Sequence, residues 1–247
     1  MRPIAGGVCA VCGERLFSPY AVSSAAGEPR CGLCRRIAPS FTRAVAYGSY
    51  EGGLRELIHL LKYGGVLPAA NVLGRMLAEA IATLDPDFSA APVIVVPVPL
   101  FHSRQRQRGF NQAELIARAA LKLLPAGEQV RLSERVLERK RETQSQTGLT
   151  SHQRRENMRG AFVVAQPETV GGQQVLVVDD VYTTGATVSE CARILLRAGA
   201  SKVWVATVAR TLKISAQHAE IGPRAGDGQI EEEIELHDVP MAKAVGS

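Results

Sequence analysis

Val175-Leu176-Val177-Val178-Asp179-Asp180-Val181-Tyr182-Thr183-Thr184-Gly185-Ala186-Thr187 is the stretch that decides the fold. Its four leading apolar residues make a short buried strand, too short for a helix and ended by paired carboxylates. A turn rich in hydroxyls and glycine follows, and Val188 to Leu196 then takes up helical spacing. In an open α/β sheet, ligands bind at the carboxyl ends of the strands, where this turn would sit. Backbone N–H groups at a helix start attract phosphate, and Gly185 lets the chain approach without a Cβ in the way. Thr183, Thr184 and Thr187 add hydroxyl donors, with Ala186 between them. Asp179 and Asp180 repel a phosphate, so they suit what lies beside it: ribose hydroxyls, or Mg²⁺ held with those hydroxyls. A carboxylate pair next to a phosphate cradle describes a sugar phosphate with a vicinal diol.

The bulk numbers agree with an α/β protein. A chain of 247 residues with 46% hydrophobic content can bury one good core and carry an appendage. No run approaches the roughly 18 apolar residues of a membrane span, and the N-terminus has no apolar stretch fit for a signal peptide. The expected location is therefore the cytoplasm. From Ile214 to Ser247 there are two basic residues against seven acidic ones, which leaves 27 basic and 17 acidic residues in the rest. A basic body invites a polyanion: a pyrophosphate, a nucleic acid, or both.

The first 42 residues differ in kind. Cys9 and Cys12 form one Cys-x-x-Cys and Cys31 and Cys34 another, with 18 residues between the pairs. That spacing falls inside a zinc-site pattern, and four thiolates suit a closed, structural Zn²⁺. Gly13 and Gly32 stand where the chain must fold tightly round a bound sulfur. A redox pair lacks its βαβ context here, and disulfides are disfavoured in a reducing cytoplasm. Cys191 reads as a small buried hydrophobe.

Further strands are expected at 43–50, 93–96, 132–137 and 202–208, with helices over 53–63, 73–84 and 109–124. After the strand at Val93, Pro97-Val98-Pro99-Leu100 sets a rigid turn, and a basic loop brings Arg104, Arg106 and Arg108 to a second strand end. Guanidinium forks match phosphate oxygens, although a solvated basic turn would read the same way. Residues 138–150 are polar and without periodicity. They predict a mobile loop carrying Arg139 and Arg141, followed by a short helix capped by Ser151 and reaching Asn157. Closing such a loop over a pyrophosphate would exclude water; a disordered linker is the alternative. The organisation expected is a zinc ribbon over 1–42, an α/β domain over 43–213 and an acidic, mobile tail over 214–247.

The 175–187 run resembles the phosphoribosyl pyrophosphate (PRPP) motif of type I phosphoribosyltransferases. Thirteen contiguous positions set that resemblance against the plainer reading, a buried strand capped by an Asp. It implies that Asp179 and Asp180 hold the ribose hydroxyls, that residues 183–187 wrap the 5′-phosphate, and that the loop after Val93 takes the pyrophosphate. The cysteine pairs, Leu60-Leu61-Lys62-Tyr63, Pro97-Val98-Pro99-Leu100 and Arg108-Gly109-Phe110-Asn111-Gln112 resemble the ComF family of bacterial competence proteins. So do Arg139, Arg141, Thr143 and Gln146, followed by Arg155, Asn157 and Ala161-Phe162. The resemblance covers about residues 8–210. It implies a type I phosphoribosyltransferase-like parallel sheet flanked by helices, structural Zn²⁺, Mg²⁺ bound with PRPP, and a link to import of transforming DNA. Two functions follow as expectations. One is a PRPP-dependent transferase whose acceptor the sequence does not reveal. The other is a non-catalytic adaptor for single-stranded DNA, with PRPP as ligand or regulator and competence-machinery proteins as partners.

Overall fold

The computed structural model describes residues 7–16, 28–84, 92–124, 130–143 and 150–212. All belong to one compact unit, Met1–Ile214. The acidic tail, Phe17, Tyr20 and Gln146 lie outside the described residues.

Five parallel strands form the central sheet: β1 (Arg43–Ser49), β2 (Val93–Pro97), β3 (Val130–Leu132), β6 (Gln174–Tyr182) and β7 (Lys202–Arg210). Their order is β1-β7-β6-β2-β3. Between β3 and β6 in the chain, a separate antiparallel hairpin pairs β4 (Leu137–Arg139) with β5 (Phe162–Val164). The expected strand over 132–137 is thus two: β3 stops at Leu132, a turn intervenes, and the chain leaves the sheet for the hairpin.

Alternation along β6 assigns the two faces. Leu176 and Val178 join α2 (Gly52–Lys62), α3 (Ala69–Ile81) and α5 (Gln112–Leu121) in one apolar core; α1 (Gly32–Arg36) and α4 (His102–Arg108) are the short helices before and between them. Val175 and Val177 join the other core, with α8 (Ala186–Arg197), the hairpin and the cysteine segment; α6 (Ser151–Met158) adds Met158, and α7 (Pro167–Val170) adds Val170. Both faces are covered, which is why β6 reads as a continuous apolar run rather than an alternating one. Leu176, Val177 and Val178 are all fully buried, and each such side chain contributes about 1.5–3 kcal/mol by leaving water.

Four local expectations need correction. The strand does not end at the carboxylates: β6 continues through Asp179 and Asp180 to Tyr182, paired only with β7 there, because β2 stops at Pro97 opposite Val178. The basic segment after β2 is helix α4, not a loop. Gly109 takes φ +81° and ends it, and Asn111 then starts α5 by accepting from the Ala113 N–H at 3.1 Å. Finally, Thr150 caps α6, not Ser151, in a reciprocal box with Gln153. The helix expected over 73–84 runs over Ala69–Ile81. Among the described residues no helix is long and apolar enough to cross a membrane.

Candidate functional site

The overhang of β6 past β2 leaves Asp179 and Asp180 at an open sheet edge. Successive strand residues point to opposite faces, so the pair straddles the sheet. Asp180 follows Leu176 and Val178 toward α2, where it is 4% exposed and forms an ion pair with Lys62. Asp179 is half-buried and accepts from the Asp180 N–H at 2.9 Å. A cavity of about 240 Å³ brings both acids together with Thr183, Thr187, Arg104 and Arg139. Thus six residues singled out from the sequence meet in one place.

The electrostatics divide the acids. Burial pushes Asp179 well above the usual carboxylate range, and the neighbouring Asp180 adds to it. Burial acts on Asp180 in the same direction, but the Lys62 ammonium and a hydrogen bond from Asp179 hold it below that range. Burial in turn lowers Lys62, and Asp180 outweighs it, so the lysine stays protonated. Burial and the neighbouring carboxylate thus favour the neutral form of Asp179, while Lys62 favours the charged form of Asp180.

Cations surround the other end of the cavity. Arg139 comes from β4, is packed 5.4 Å from the Phe162 ring centroid, and donates from Nη2 to the Thr143 hydroxyl; its buried Nε has no hydrogen-bond partner among the described residues. Arg104 lines this cavity and a neighbouring one of about 490 Å³, which also holds Lys62, Gln107 and Arg108. Arg108 donates to Gln112 and lies 5.6 Å from the Tyr63 ring centroid. Asn111, besides capping α5, donates to the Val98 carbonyl at 3.0 Å and so fixes the turn after β2. The block Arg108-Gly109-Phe110-Asn111-Gln112 is thereby accounted for: helix stop, helix start, and two polar side chains aimed at one strand end. Arg106 is exposed and lines neither cavity. Arg141 donates to the carbonyls of Asn157 (2.8 Å) and Arg159 (3.1 Å), tying β4 to the end of α6.

Gly185 begins α8 with φ +76°, and a Cβ there would run into the Tyr182 ring. Only glycine fits this turn. Thr184, Gly185 and Ala186 line a third cavity, of about 570 Å³, against the cysteine segment; it also carries Arg155, Arg159 and Arg197. The buried Thr184 hydroxyl has no hydrogen-bond partner among the described residues.

The sulfurs of Cys9, Cys12, Cys31 and Cys34 all lie within 4.8 Å of one another, with Cys12 and Cys31 at 3.7 Å. Sulfurs at ~2.3 Å from a tetrahedral Zn²⁺ stand roughly 3.8 Å apart, so this donor set fits such an ion. The Cys34 N–H points at the Cys31 sulfur at 3.5 Å, and Gly13 turns the chain with φ +70°; Gly32 needs no such φ. The acid pair fits Mg²⁺ by its donor chemistry: the buried Oδ2 of Asp180 takes no hydrogen bond other than its ion pair with Lys62. Sequence reasoning gives Lys62 no role beyond its place in a motif, and passes over Tyr50, which also lines the acid cavity. A lysine just before the helix-ending Gly64-Gly65 was the available signal.

Residues 73–223 match the phosphoribosyl transferase domain model. The chain is 33% identical over 213 residues to the DNA utilization protein YhgH of Escherichia coli (strain K12), covering 83% of this chain and 91% of that one. It is 30% identical over 211 residues to Competence protein F of Haemophilus influenzae, covering 83% and 90%. To Competence protein ComFC of Bacillus subtilis it is 26% identical over 199 residues, covering 81% and 75%.

Proposed function

The chain belongs to the phosphoribosyl transferase domain family, in its ComF branch, and from that premise we propose that it binds Mg²⁺-PRPP and transfers the phosphoribosyl group. The observation that carries this reading is the single cavity shared by Asp179, Asp180, Thr183, Thr187, Arg104 and Arg139. Asp179 and Asp180 orient the ribose hydroxyls. Residues 183–187, at the start of α8, hold the 5′-phosphate with backbone N–H groups and hydroxyls. Arg104, Arg108 and Arg139 face the pyrophosphate, while Arg106 and Arg141 add positive field from outside the cavity. Asp179 and Asp180 would hold Mg²⁺, whose charge would offset that of the departing pyrophosphate.

Chemistry at the anomeric carbon needs little from side chains. The bond to the pyrophosphate oxygen breaks with its electron pair, an acceptor lone pair forms the new bond, and the acceptor's proton passes to solvent. Positioning and preorganised charge at the leaving group supply the acceleration. The test is calorimetric titration of Mg²⁺-PRPP into zinc-loaded protein, with Asp179→Asn/Asp180→Asn as control. Saturable binding lost in the variant supports the site; no heat at millimolar PRPP sinks it. Pyrophosphate release during an acceptor screen then tests turnover.

A second observation favours single-stranded DNA as a further ligand. The cavity of about 570 Å³ combines Arg155, Arg159 and Arg197 with the apolar side chains of Leu33 and Ile37, the latter 50% exposed. Cations for phosphates beside an apolar wall for bases suit a single strand. The names of the relatives, DNA utilization and competence, support a role in DNA uptake; a reducing cytoplasm would keep the four thiolates available for Zn²⁺. Affinity that falls steeply with salt supports it, and a salt-insensitive affinity counts against it.

A further inference from the structure

Lys62 stands where two cavities meet. It lines the acid cavity with Asp179 and Asp180, and also the neighbouring one with Arg104, Gln107 and Arg108. Its ammonium sits on Oδ2 of Asp180, an oxygen that takes no other hydrogen bond among the described residues. The lysine side chain is 17% exposed and the aspartate side chain 6%, so this is a largely desolvated pair. A divalent cation approaching Asp180 must therefore take that oxygen from a charge of its own sign.

The backbone around Lys62 is held by contacts that do not involve its own side chain. Lys62 is the last residue of α2, where the helix dipole favours a cation. Tyr50 and His59 are hydrogen-bonded at 2.9 Å, the His59 and Tyr63 rings meet edge-on at 5.3 Å, and Arg108 covers Tyr63. These contacts fix the end of α2 on both sides of Lys62. The four-carbon stem can then turn from Asp180 toward Arg104 and Arg108 without moving the chain. A pyrophosphate seated among those arginines would attract the ammonium more strongly than one carboxylate does.

We propose that Lys62 is a positioning residue that plugs the acid pair in the ligand-free protein and passes to the pyrophosphate when the sugar phosphate arrives. Divalent metal then enters only together with PRPP, and free Mg²⁺ does not occupy Asp179 and Asp180 beforehand. This inference rests on the PRPP reading of the site, and its test separates the two.

The probe is Mn²⁺ alone, followed by the loss of its free electron-spin-resonance signal, on the full zinc-loaded chain. Wild type and Lys62→Arg should take up Mn²⁺ weakly and equally. Lys62→Met and Lys62→Gln should bind it at least ~10-fold more tightly, a factor set by removing one adjacent like charge. Adding Asp180→Asn to Lys62→Met should abolish the gain. A lysine that served only the fold could lower stability on removal but would not raise metal affinity. If Lys62→Met does not fold, Lys62→Gln, which can still hydrogen-bond Asp180, carries the test. Unchanged Mn²⁺ affinity in a folded variant overturns the plug, even where wild type binds Mg²⁺-PRPP. A gain in Mn²⁺ affinity with no PRPP binding by wild type instead overturns the PRPP reading and the passage to pyrophosphate, leaving the plug against metal.

Discussion

Arg210, the last residue of β7, donates from Nη1 to the carbonyl oxygen of Cys12 and from Nη2 to Glu14 at 2.9 Å. Its guanidinium lies 4.6 Å from the Tyr182 ring centroid, and the residue is 2% exposed. The cysteine segment is thus bonded to the strand that neighbours β6. Phe41 meets the same Tyr182 ring edge-on at 6.4 Å, and the Ala44 N–H donates to the Val11 carbonyl at 2.7 Å. The cysteine segment and the end of β6 share one core.

Breaking that tie should destabilise the whole unit. Arg210→Met removes a buried guanidinium that binds the Cys12 carbonyl and Glu14, a loss of about 3 kcal/mol or more. Urea unfolding should show a lower midpoint with an unchanged slope. Chelating the metal should shift the same single transition, since the four cysteines pack in the same core. A loss under about 0.5 kcal/mol, the size of an ordinary surface change, would show that the contact contributes nothing to stability.

Ligand binding should release a proton. Burial and Asp180 raise Asp179, so in the free protein its protonated form persists above the ordinary carboxylate range. A raised folded value means a contribution to stability that is complete below the unfolded value and lost as pH rises through the folded one. The ligand-free protein should therefore weaken over that rise, and Mg²⁺-PRPP, which needs the carboxylate, should tighten over it. Calorimetry at one acidic pH in buffers of different ionisation enthalpy measures the proton. Heats that do not depend on the buffer, or that depend on it equally in Asp179→Asn, would remove Asp179 from this role.

Gly185→Ala should damage the Thr183–Thr187 turn through geometry alone. The position needs φ +76°, and the added methyl meets the Tyr182 ring. Strain at such a position costs of order 1–3 kcal/mol. We expect a lower melting temperature and PRPP affinity reduced at least tenfold. Adding Tyr182→Leu should recover part of the stability by removing the clash while leaving the φ strain. Full recovery would mean that the backbone conformation itself is unimportant there.

How far these features could be read beforehand depended on whether they were local. The strand, turn and helix at 175–187 were legible because burial on both faces leaves a solid apolar run, and because the Thr-Thr-Gly turn has few other uses. The cysteine quartet was legible from spacing, and the structure brings all four sulfurs together. Strand lengths in register were not legible. Asp179 and Asp180 look like an end, but the chain stays in the sheet because β7 pairs with it up to Tyr182. Helix α4 was hidden because its seven residues are polar and bury none of their side chains, so no apolar stripe marks them. Lys62 was missed for a different reason: its partner lies more than a hundred residues away, and no local pattern signals a charge that a remote strand will bury.

The two ligand readings predict opposite variants. Under the PRPP reading, Asp179→Asn/Asp180→Asn removes the charge offered to ribose and Mg²⁺, while Arg155, Arg159 and Arg197 stand on a cavity that neither acid lines. The acid variant should lose PRPP binding and keep its affinity for single-stranded DNA. Charge reversal at Arg155 and Arg159 should do the converse. It should weaken DNA binding by tenfold or more at ~0.1 M salt, and it should flatten the dependence of log affinity on log salt by about 0.7 for each phosphate no longer neutralised. Both side chains are exposed, so reversing them should leave the core intact. Fluorescence anisotropy with a labelled oligonucleotide and calorimetry with Mg²⁺-PRPP measure the two ligands on the same preparations. The loop Thr183–Thr187 touches both cavities, so some coupling is expected: saturating PRPP should change DNA affinity by a modest factor, and DNA should change PRPP affinity by the same factor. Loss of both ligands in the acid variant would mean a single shared site, and the third cavity would then have no part in DNA binding.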